Sequence, residues 1–465
     1  MNDAALFGAA FWAFLILYGA GMYVLSPRAV GHAGFFQGHD AAGRPASAWA
    51  LGASIFISWI FAKSITNAAN LGASFGIVGG LAYATYWLSI PLAGWAILRL
   101  RTRHGATGLV SFLVTRHGRL AALAFSLAIL VRLFNEVWSN TSVVGGYYGE
   151  AGSAGFIGAA LLFTAATLFY SIKGGLRSSI YTDVLQTGLF VAFFAVVMFM
   201  VLPAHGPLTL LSTGDWRLDA GVDLLLVAAL QVLSYPFHDP VLTDRGFITE
   251  ERRMLRAFIW AGALGFVCIL LFSLVGVHAH VERIAGGDNV PAALARALGP
   301  GALFAMTIVM VAAAGSTLDS TFSSLARHVA QDLPALAGRP EPTRAIGIGM
   351  TAMAVIALVG NIPMLTGTDI LKATTVSGTM VIGLAPVFLL AGFTRPGTRA
   401  AAWSFHIAFW TGMTLGVLLA AGLIPDSWAI GDGKYAKLLG TNLYGLVLCT
   451  AGYLLPSSIA RGHRP

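Results

Sequence analysis

Apolar segments long enough to cross a lipid bilayer recur along nearly the whole chain and constrain its fold more than any other feature. A helix needs about 20 apolar residues to span a bilayer, and unpaired backbone amides are not tolerated in hydrocarbon. Of the 465 residues 57% are hydrophobic and 10% are charged, whereas soluble domains carry roughly 25% charged residues. The sequence therefore predicts an all-α polytopic membrane protein. Thirteen spans are predicted, at 5–25, 47–72, 74–99, 119–148, 154–172, 178–202, 219–237, 254–280, 301–331, 343–360, 369–393, 400–423 and 436–456.

The placement of basic residues predicts how these spans are oriented. Loops on one side hold 20 of the 28 Lys and Arg residues, loops on the other side hold 5, and the remaining three lie in spans. Cytoplasmic loops carry the excess of Lys and Arg, so the N-terminus is predicted outside and the C-terminus in the cytoplasm. The net charge of +8 is then a consequence of topology, and no nucleic-acid partner is expected.

Cysteines and histidines give no indication of a metal site. Cys268 and Cys449 both lie in apolar segments, so neither a disulfide framework nor a metal cluster is expected. His278 and His280 lie near the outer end of the eighth span, and we expect no metal there because no third ligand is evident nearby in the sequence. The first apolar segment has no basic leader and no cleavage site, so it is predicted to be a retained helix.

A run of polar residues within the ninth span marks the predicted centre of the molecule. Hydroxyl and carboxylate groups without partners are costly in hydrocarbon, so polar side chains there are usually scattered. Ser316, Thr317 and Ser320 share one helix face, and Asp319 lies beside it. Hard oxygens with one negative charge suit a small dehydrated cation. Close packing through small residues is the alternative, but it does not account for the acid at 319.

Two spans carry sequences that interrupt a helix. The second span turns from apolar to polar between Ile57 and Asn70, and the seventh ends in a segment that contains Pro236 and Pro240. Proline cannot continue the helical hydrogen-bond ladder. Interrupted helices five spans apart are typical of an inverted five-plus-five repeat with its substrate site at the breaks. An ordinary proline-terminated helix is the alternative for the seventh span.

Three local patterns resemble those of the solute–sodium symporter family, which includes bacterial sodium-coupled carriers of proline, galactose and sialic acid. They are the Gly174-Gly175 turn followed by the run 181–187, the small and polar run 313–320, and the small-residue stretch 71–76. The resemblance covers nearly the whole chain and implies a LeuT-like fold. It divides the chain into an N-terminal helix with an inner loop, two inverted repeats and two C-terminal helices, at 1–46, 47–202, 203–394 and 395–465.

The same resemblance implies two cation sites and makes Na+ the expected coupling ion, with no organic cofactor. The main site, between the second and ninth spans, would use the backbone carbonyls of Ile57, Ile60 and Ala313. The hydroxyls of Ser316 and Thr317 would complete it. The second site would use Asp183, Asp319 and Ser320. Carbonyls freed by a helix break are suitable ligands for an alkali ion. For Asp183, a helix-start acid favoured by the helix dipole is the alternative.

Charged side chains within the spans point to the substrate site. Arg132 and Glu136 are four residues apart and can pair on one helix face, and charges at this depth usually face the protein interior. With Lys63 they predict a net positive pocket for an organic anion or a zwitterion, in which arginine is the better carboxylate ligand. A purely structural ion pair is the alternative. The predicted neutral contacts are Ser64, Asn67, Gln231 and Tyr235, for which ordinary helix–helix hydrogen bonds are the alternative.

Together these features predict a symporter of a bacterial-type inner membrane, not an enzyme. It would take up a small carboxylate-bearing solute, such as a monocarboxylate or an amino acid like proline, with sodium by alternating access. Expected partners are the solute and the bilayer, with no obligate protein partner evident. Two alternatives stay open. One is a proton-coupled or sodium-independent carrier in which the Lys63 ammonium replaces the ion, and the other is a solute receptor with a transporter fold.

Overall fold

The structure, a computed structural model, describes residues 3–365 and 370–462. This part of the chain contains helices and no strand. The first ten α-helices are α1 (Asp3–Leu25), α2 (Gly31–Gln37), α3 (Ala48–Trp59), α4 (Ala62–Ala84), α5 (Ser89–His104), α6 (Leu109–His117), α7 (Arg119–Tyr148), α8 (Ala154–His205), α9 (Pro207–Leu211) and α10 (Val222–Gln231). The others are α11 (Pro240–Thr243), α12 (Glu251–Val281), α13 (Val290–Leu298), α14 (Pro300–Arg327), α15 (Leu333–Leu336), α16 (Ala345–Val359), α17 (Ile370–Met380), α18 (Leu384–Leu389), α19 (Arg399–Ala420) and α20 (Ala436–Gly462).

The helices follow the predicted spans closely. Nine continuous helices in the described part of the chain are long and apolar enough to cross a membrane. This count is below thirteen because α8 contains two predicted spans, while the second, seventh and eleventh spans are broken into shorter helices. The eleventh predicted span begins at residue 369, which lies outside the described residues. The chain is a multi-pass membrane protein, as predicted.

Two pairs of spans meet at a glycine corner without an intervening loop. Gly76 joins the second span to the third with φ +62° and ψ −147°, and Gly175 joins the fifth to the sixth with φ +54° and ψ −139°. Residues with a Cβ are strained at these angles. A Cβ on Gly175 would also lie 2.4 Å from the carbonyl oxygen of Phe35. The two-glycine motif at 174–175 is therefore required by the backbone.

Both predicted helix breaks are present. α3 ends at Trp59 and α4 begins at Ala62, with Ile60 and Phe61 outside helical geometry. α10 ends at Gln231, and a short 3-10 turn (Tyr235–His238) leads to α11. Pro236 lies in this turn, and Pro240 is the first residue of α11, a position where the missing N–H of proline is not needed.

Helix α14 lies at the centre of the molecule. Every residue from 305 to 326 is buried, so the helix is enclosed on all sides by other helices. A surface helix of a bundle keeps an exposed stripe, and α14 has none over these six turns. Its polar residues therefore face protein and not lipid, which makes partners for them necessary.

Candidate ion and substrate site

The break between α3 and α4 faces the polar run of α14. The last carbonyls of a helix have no partner within it, and here the carbonyl of Ser58 accepts a bond from the Thr317 hydroxyl at 3.2 Å. Thr317 also donates to the carbonyl of Ala313, at 3.1 Å. The Ile57 carbonyl instead accepts the amide of Ile60 at 3.1 Å. The carbonyl seen next to Thr317 is thus that of Ser58, which sequence reasoning did not include in the predicted sodium set.

The predicted second-site residues lie together in a buried group of oxygens, which we call the oxygen cluster. Its members come from α3, α8 and α14 and all have 0% exposure. They are Ser54, Ser58, Ser179, Thr182, Asp183, Ser316, Asp319 and Ser320. The sequence interpretation missed Ser54, Ser58, Ser179 and Thr182. Serine or threonine at helical spacing in α3 and α8 was the signal that could have found them.

Each acid of the oxygen cluster is held by hydroxyl donors. Asp183 accepts bonds from Ser54 at 2.5 Å and from Ser316. Asp319 accepts bonds from Ser179 at 2.8 Å and from Thr182 at 2.9 Å. Ser316 therefore bonds directly to Asp183, so the two predicted cation sites are contiguous through this pair. The helix-start alternative for Asp183 is not supported, because this residue follows the Gly175 corner by eight residues and so lies beyond the first turn of the sixth span.

A guanidinium lies within this oxygen cluster. Arg245 donates from Nη2 to Ser320 at 2.7 Å and to Asp183 at 3.2 Å, and from Nε to Ser54 at 2.9 Å. Its side chain is 1% exposed. Arg245 is one of the 20 basic residues predicted above to lie in cytoplasmic loops, and for this residue the prediction was wrong. The residue belongs to a short 3-10 turn (Asp244–Gly246) that follows α11 and returns to the bundle interior.

A second charged group, the ion-pair network, lies on the other side of the α3–α4 break. Lys63 donates to Glu136 at 2.6 Å, Arg132 pairs with Glu136, and Arg132 donates to Asp239 at 2.9 Å. All four side chains are 1% exposed. The predicted excess of one positive charge is wrong, because Asp239 adds a second carboxylate. Lys63 also points to α7, where it reaches Ser139 at 3.1 Å, and not to the oxygens of α14.

Asp239 connects this network to the second helix break. One of its carboxylate oxygens accepts the Val241 amide at 3.0 Å and caps α11, while the other accepts Arg132. Asp and Asn are preferred at helix N-caps because they satisfy such amides. Its position directly before Pro240 was the available signal. A single side chain thus joins α7 to the start of α11.

The other predicted substrate residues form a continuous polar and aromatic path with the network. Ser64 and Asn67 bond to the Tyr83 hydroxyl at 3.2 and 3.1 Å, and Gln231 accepts a bond from Tyr86 at 2.7 Å. The rings of Tyr83 and Tyr86 lie 5.7 Å apart, and Tyr86 lies 5.7 Å from Tyr235. The seven predicted substrate residues therefore lie in one region. Tyr86 was not among them.

Tyr235 contacts both the ion-pair network, through Arg132, and the aromatic path, through Tyr86. The Arg132 guanidinium lies 5.3 Å from the centre of the Tyr235 ring and 5.4 Å from that of Phe61. Such contacts favour a cation between two aromatic faces. Around this point the Nε1 of Trp59, the Nε of Arg132 and the Nε2 of His238 are buried without a hydrogen-bond partner in the described chain. Unsatisfied buried polar atoms are uncommon and costly.

A cavity of about 720 Å³ lies beside this region. It is lined by Thr66, Asn67 and Asn70 of α4 and also by His280 and Asp288. Of the predicted substrate residues, Asn67 is the one that lines it.

Comparison with known proteins supports the predicted resemblance. The model of the Sodium:solute symporter family matches residues 40–213. Sodium/glucose cotransporter 4 of Homo sapiens is 30% identical over 173 residues, which are 36% of this chain and 25% of that protein. Sodium/glucose cotransporter 1 of Mus musculus is 28% identical over 179 residues, 38% of this chain and 26% of that protein. The chain thus matches about a quarter of the length of these curated relatives.

Two solved structures share the fold over almost the whole chain. A Na+-coupled sialic acid symporter in a substrate-bound outward-open state has a TM-score of 0.72 at 13% identity, with 99% of this chain and 98% of that chain covered. Mhp1, a nucleobase-cation-symport-1 family transporter in a closed conformation, has a TM-score of 0.61 at 15% identity, with 95% and 96% covered. The predicted LeuT-like fold is confirmed. In sequence, the chain resembles the sodium:solute symporter family, as predicted.

Proposed function

We propose that the protein is a sodium-coupled symporter of a small carboxylate-bearing solute. The observation that carries this proposal is the break between α3 and α4, which presents the Ser58 carbonyl to the Thr317 hydroxyl on the buried stretch 305–326 of α14. A desolvated alkali ion needs several hard oxygens, and a helix break supplies them. The family resemblance and the fold support the same function. The proposed orientation has the N-terminus outside and the C-terminus in the cytoplasm of a bacterial-type inner membrane.

In this proposal the sodium ion binds between α3 and α14. Its ligands would be the hydroxyls of Ser316 and Thr317 and backbone carbonyls of Ala313 and of the turn from Ile57 to Ile60. Thr317 already lies within 3.2 Å of two carbonyl oxygens. The ion would hold α3 against α14 with the outer side open, and separation of the two helices would release it inward.

Arg245 supplies the positive charge at the second cation position. Its guanidinium donates to Ser320 and Asp183, two of the three residues predicted to hold a second ion. Two cations cannot share these oxygens without strong repulsion at low dielectric. We therefore propose that one sodium ion accompanies each solute molecule.

The balance of charges favours a zwitterionic solute such as an amino acid. Lys63 and Arg132 are matched by Glu136 and Asp239, so a solute with a net charge would leave an uncompensated charge in a buried site. A zwitterion brings one group of each sign. Its carboxylate would accept from the free Nε of Arg132, and its ammonium group would meet a carboxylate of the ion-pair network.

The ion assignment is tested by the thermal stability of the purified protein in sodium chloride and in choline chloride. Sodium should raise the unfolding midpoint of the wild type, because a ligand that binds the folded state stabilises it. Ser316→Ala combined with Thr317→Ala should abolish that rise. Thr321→Ala is the matched control, because Thr321 lies one turn after Thr317 on the same helix and its hydroxyl donates to the Thr317 carbonyl. An unchanged sodium effect in the double variant would refute the ion assignment.

One observation favours a second candidate, a sodium-independent carrier with a fixed internal cation. That cation would be Arg245 and not Lys63, because Lys63 is paired with Glu136. Uptake into proteoliposomes with sodium replaced by choline at several pH values separates the two candidates. Uptake that persists in choline favours the fixed cation. A solute receptor, the remaining alternative, would bind solute without counterflow.

A further inference from the structure

Three metal-ligating side chains meet where α8 and α12 end, away from the ion and substrate site. His205 is the last residue of α8, and His278 and Glu282 lie at the end of α12. One ligand atom from each lies within 4.8 Å of the others. His205 Nε2 is 2.8 Å from Glu282 Oε1, and the rings of His205 and His278 lie 5.0 Å apart.

Local structure brings these ligands together. The Glu282 amide donates to the His278 carbonyl at 3.0 Å, so the two side chains are one helical turn apart on the same face of α12. His205 approaches from the neighbouring helix. The expectation of no metal at His278 overlooked Glu282 four residues later, and His205 is 73 residues away in sequence.

The buried histidine has an unmet hydrogen-bonding requirement. His278 is 3% exposed, and its Nδ1 has no hydrogen-bond partner in the described part of the chain. A buried polar atom left in this state is destabilising. Glu282 is 47% exposed and His205 is 23% exposed, so a metal ion can reach the group from solvent. The group is thus open on one side and buried on the other.

We propose that His205, His278 and Glu282 bind a divalent transition-metal ion of the Zn²⁺ type. Two imidazoles and one carboxylate are a known zinc ligand set, and a water molecule completes four-coordination. Oxygen-only ligands would suit Mg²⁺ or Ca²⁺, but imidazole favours zinc. The bound ion joins α8 to α12. Binding replaces the hydrogen bond between His205 Nε2 and Glu282 Oε1 with bonds from both side chains to the ion.

The test uses the full-length protein in detergent, with any affinity tag removed and metals stripped by a chelator. Zn²⁺ is titrated by calorimetry, and the unfolding midpoint is measured with and without the metal. The wild type should bind one Zn²⁺ and unfold at a higher temperature in its presence. His205→Ala, His278→Ala and Glu282→Gln should each weaken binding by at least about tenfold. Magnesium chloride should reproduce neither effect.

His280→Ala is the matched control, because His280 lies on the same helix, is exposed and is not a member of the group. It should bind Zn²⁺ as the wild type does. Unfolding midpoints without metal show that each variant is folded. No zinc binding by the wild type would overturn the proposal, and so would unchanged affinity in the three ligand variants. None of these measurements depends on transport, so this proposal and the sodium proposal can fail separately.

Discussion

The guanidinium of Arg245 lies 2.7 Å from the hydroxyl of Ser320, in the position where a second coupling ion was expected. The same group donates to Asp183 at 3.2 Å. The oxygen cluster therefore already contains a positive charge. Unlike a bound ion, this charge belongs to a side chain and cannot leave the site. The proposed ratio of one sodium ion to each solute molecule rests on this pair.

Removal of the Arg245 charge should create a second sodium site. In Arg245→Gln, sodium dependence of transport is expected to change from a Hill coefficient of about 1 towards 2, the number of sites. Without sodium this variant should lose about 3–5 kcal/mol of stability, because a buried carboxylate loses its partner. Unfolding midpoints and uptake at varied sodium concentration measure both effects. Arg245→Lys keeps the charge and serves as the control. A folded Arg245→Gln variant with an unchanged Hill coefficient contradicts the prediction.

Lys63 and Glu136 should show strong energetic coupling. Lys63→Met or Glu136→Gln alone leaves a buried charge with fewer partners, whereas the double variant removes both members of the pair. The double variant should therefore be more stable than the sum of the single effects predicts, by about 0.5–3 kcal/mol. Unfolding of the three variants under one set of conditions measures this difference. Simple additivity would mean that the pair is not coupled in the folded protein.

Net-neutral solutes should stabilise the protein more than anions do. A thermal-shift screen of zwitterionic amino acids, monocarboxylates, sugars and ureas, each with sodium, is expected to give its largest shifts with zwitterions. Arg132→Lys should weaken binding of the best solute by about tenfold or more, which is roughly 1.4 kcal/mol, because lysine lacks the planar fork of arginine. Sodium stabilisation measured without solute should persist in this variant. Equal shifts with monocarboxylates would exclude a zwitterion preference.

The contact between α6 and α19 should weaken in acid through His117. Its ring is 2% exposed and its Nδ1 donates to the Ala401 carbonyl at 2.7 Å. Burial lowers the pKa of His117 from 6.5 to about 4, against the opposing effect of the Ala401 bond. Between these values the unfolded chain binds a proton that the folded chain does not, so stability falls as pH decreases, by up to about 1.4 kcal/mol per unit. In denaturation between pH 4 and 7, His117→Gln should show a smaller slope than the wild type.

Much of the architecture could be predicted because each feature depends on nearby residues. Apolar length defines a span, a proline such as Pro236 ends a helix, and the acid at 319 in an apolar helix requires buried partners. These considerations predicted the span positions and both helix breaks, whereas the grouping of Asp183, Asp319 and Ser320 was implied by the family resemblance. The domain boundaries and the roles of the site residues remain predictions.

The misassigned residues share one physical cause. Arg245 follows a broken helix and precedes a run of arginines that were predicted to be cytoplasmic, so the local sequence is that of a loop although the short turn returns to the bundle interior. Asp239 has the local character of a helix cap, and its second bond, to Arg132, joins residues 107 apart. His205 likewise meets its partners across two helices. Contacts of this kind depend on how helices pack, and periodicity along one helix does not contain that information.

The glycine corner at Gly175 has a consequence for the tolerance of the chain to insertions. Surface loops usually accept extra residues at little energetic cost, but the fifth and sixth spans are joined here without a loop. Asp183 follows the corner by eight residues of continuous helix. One inserted residue between them would rotate the carboxylate by about 100° around the helix axis and turn it away from Arg245. The spacing between Gly175 and Asp183 is therefore a fixed length, set by the direction in which one acid must point.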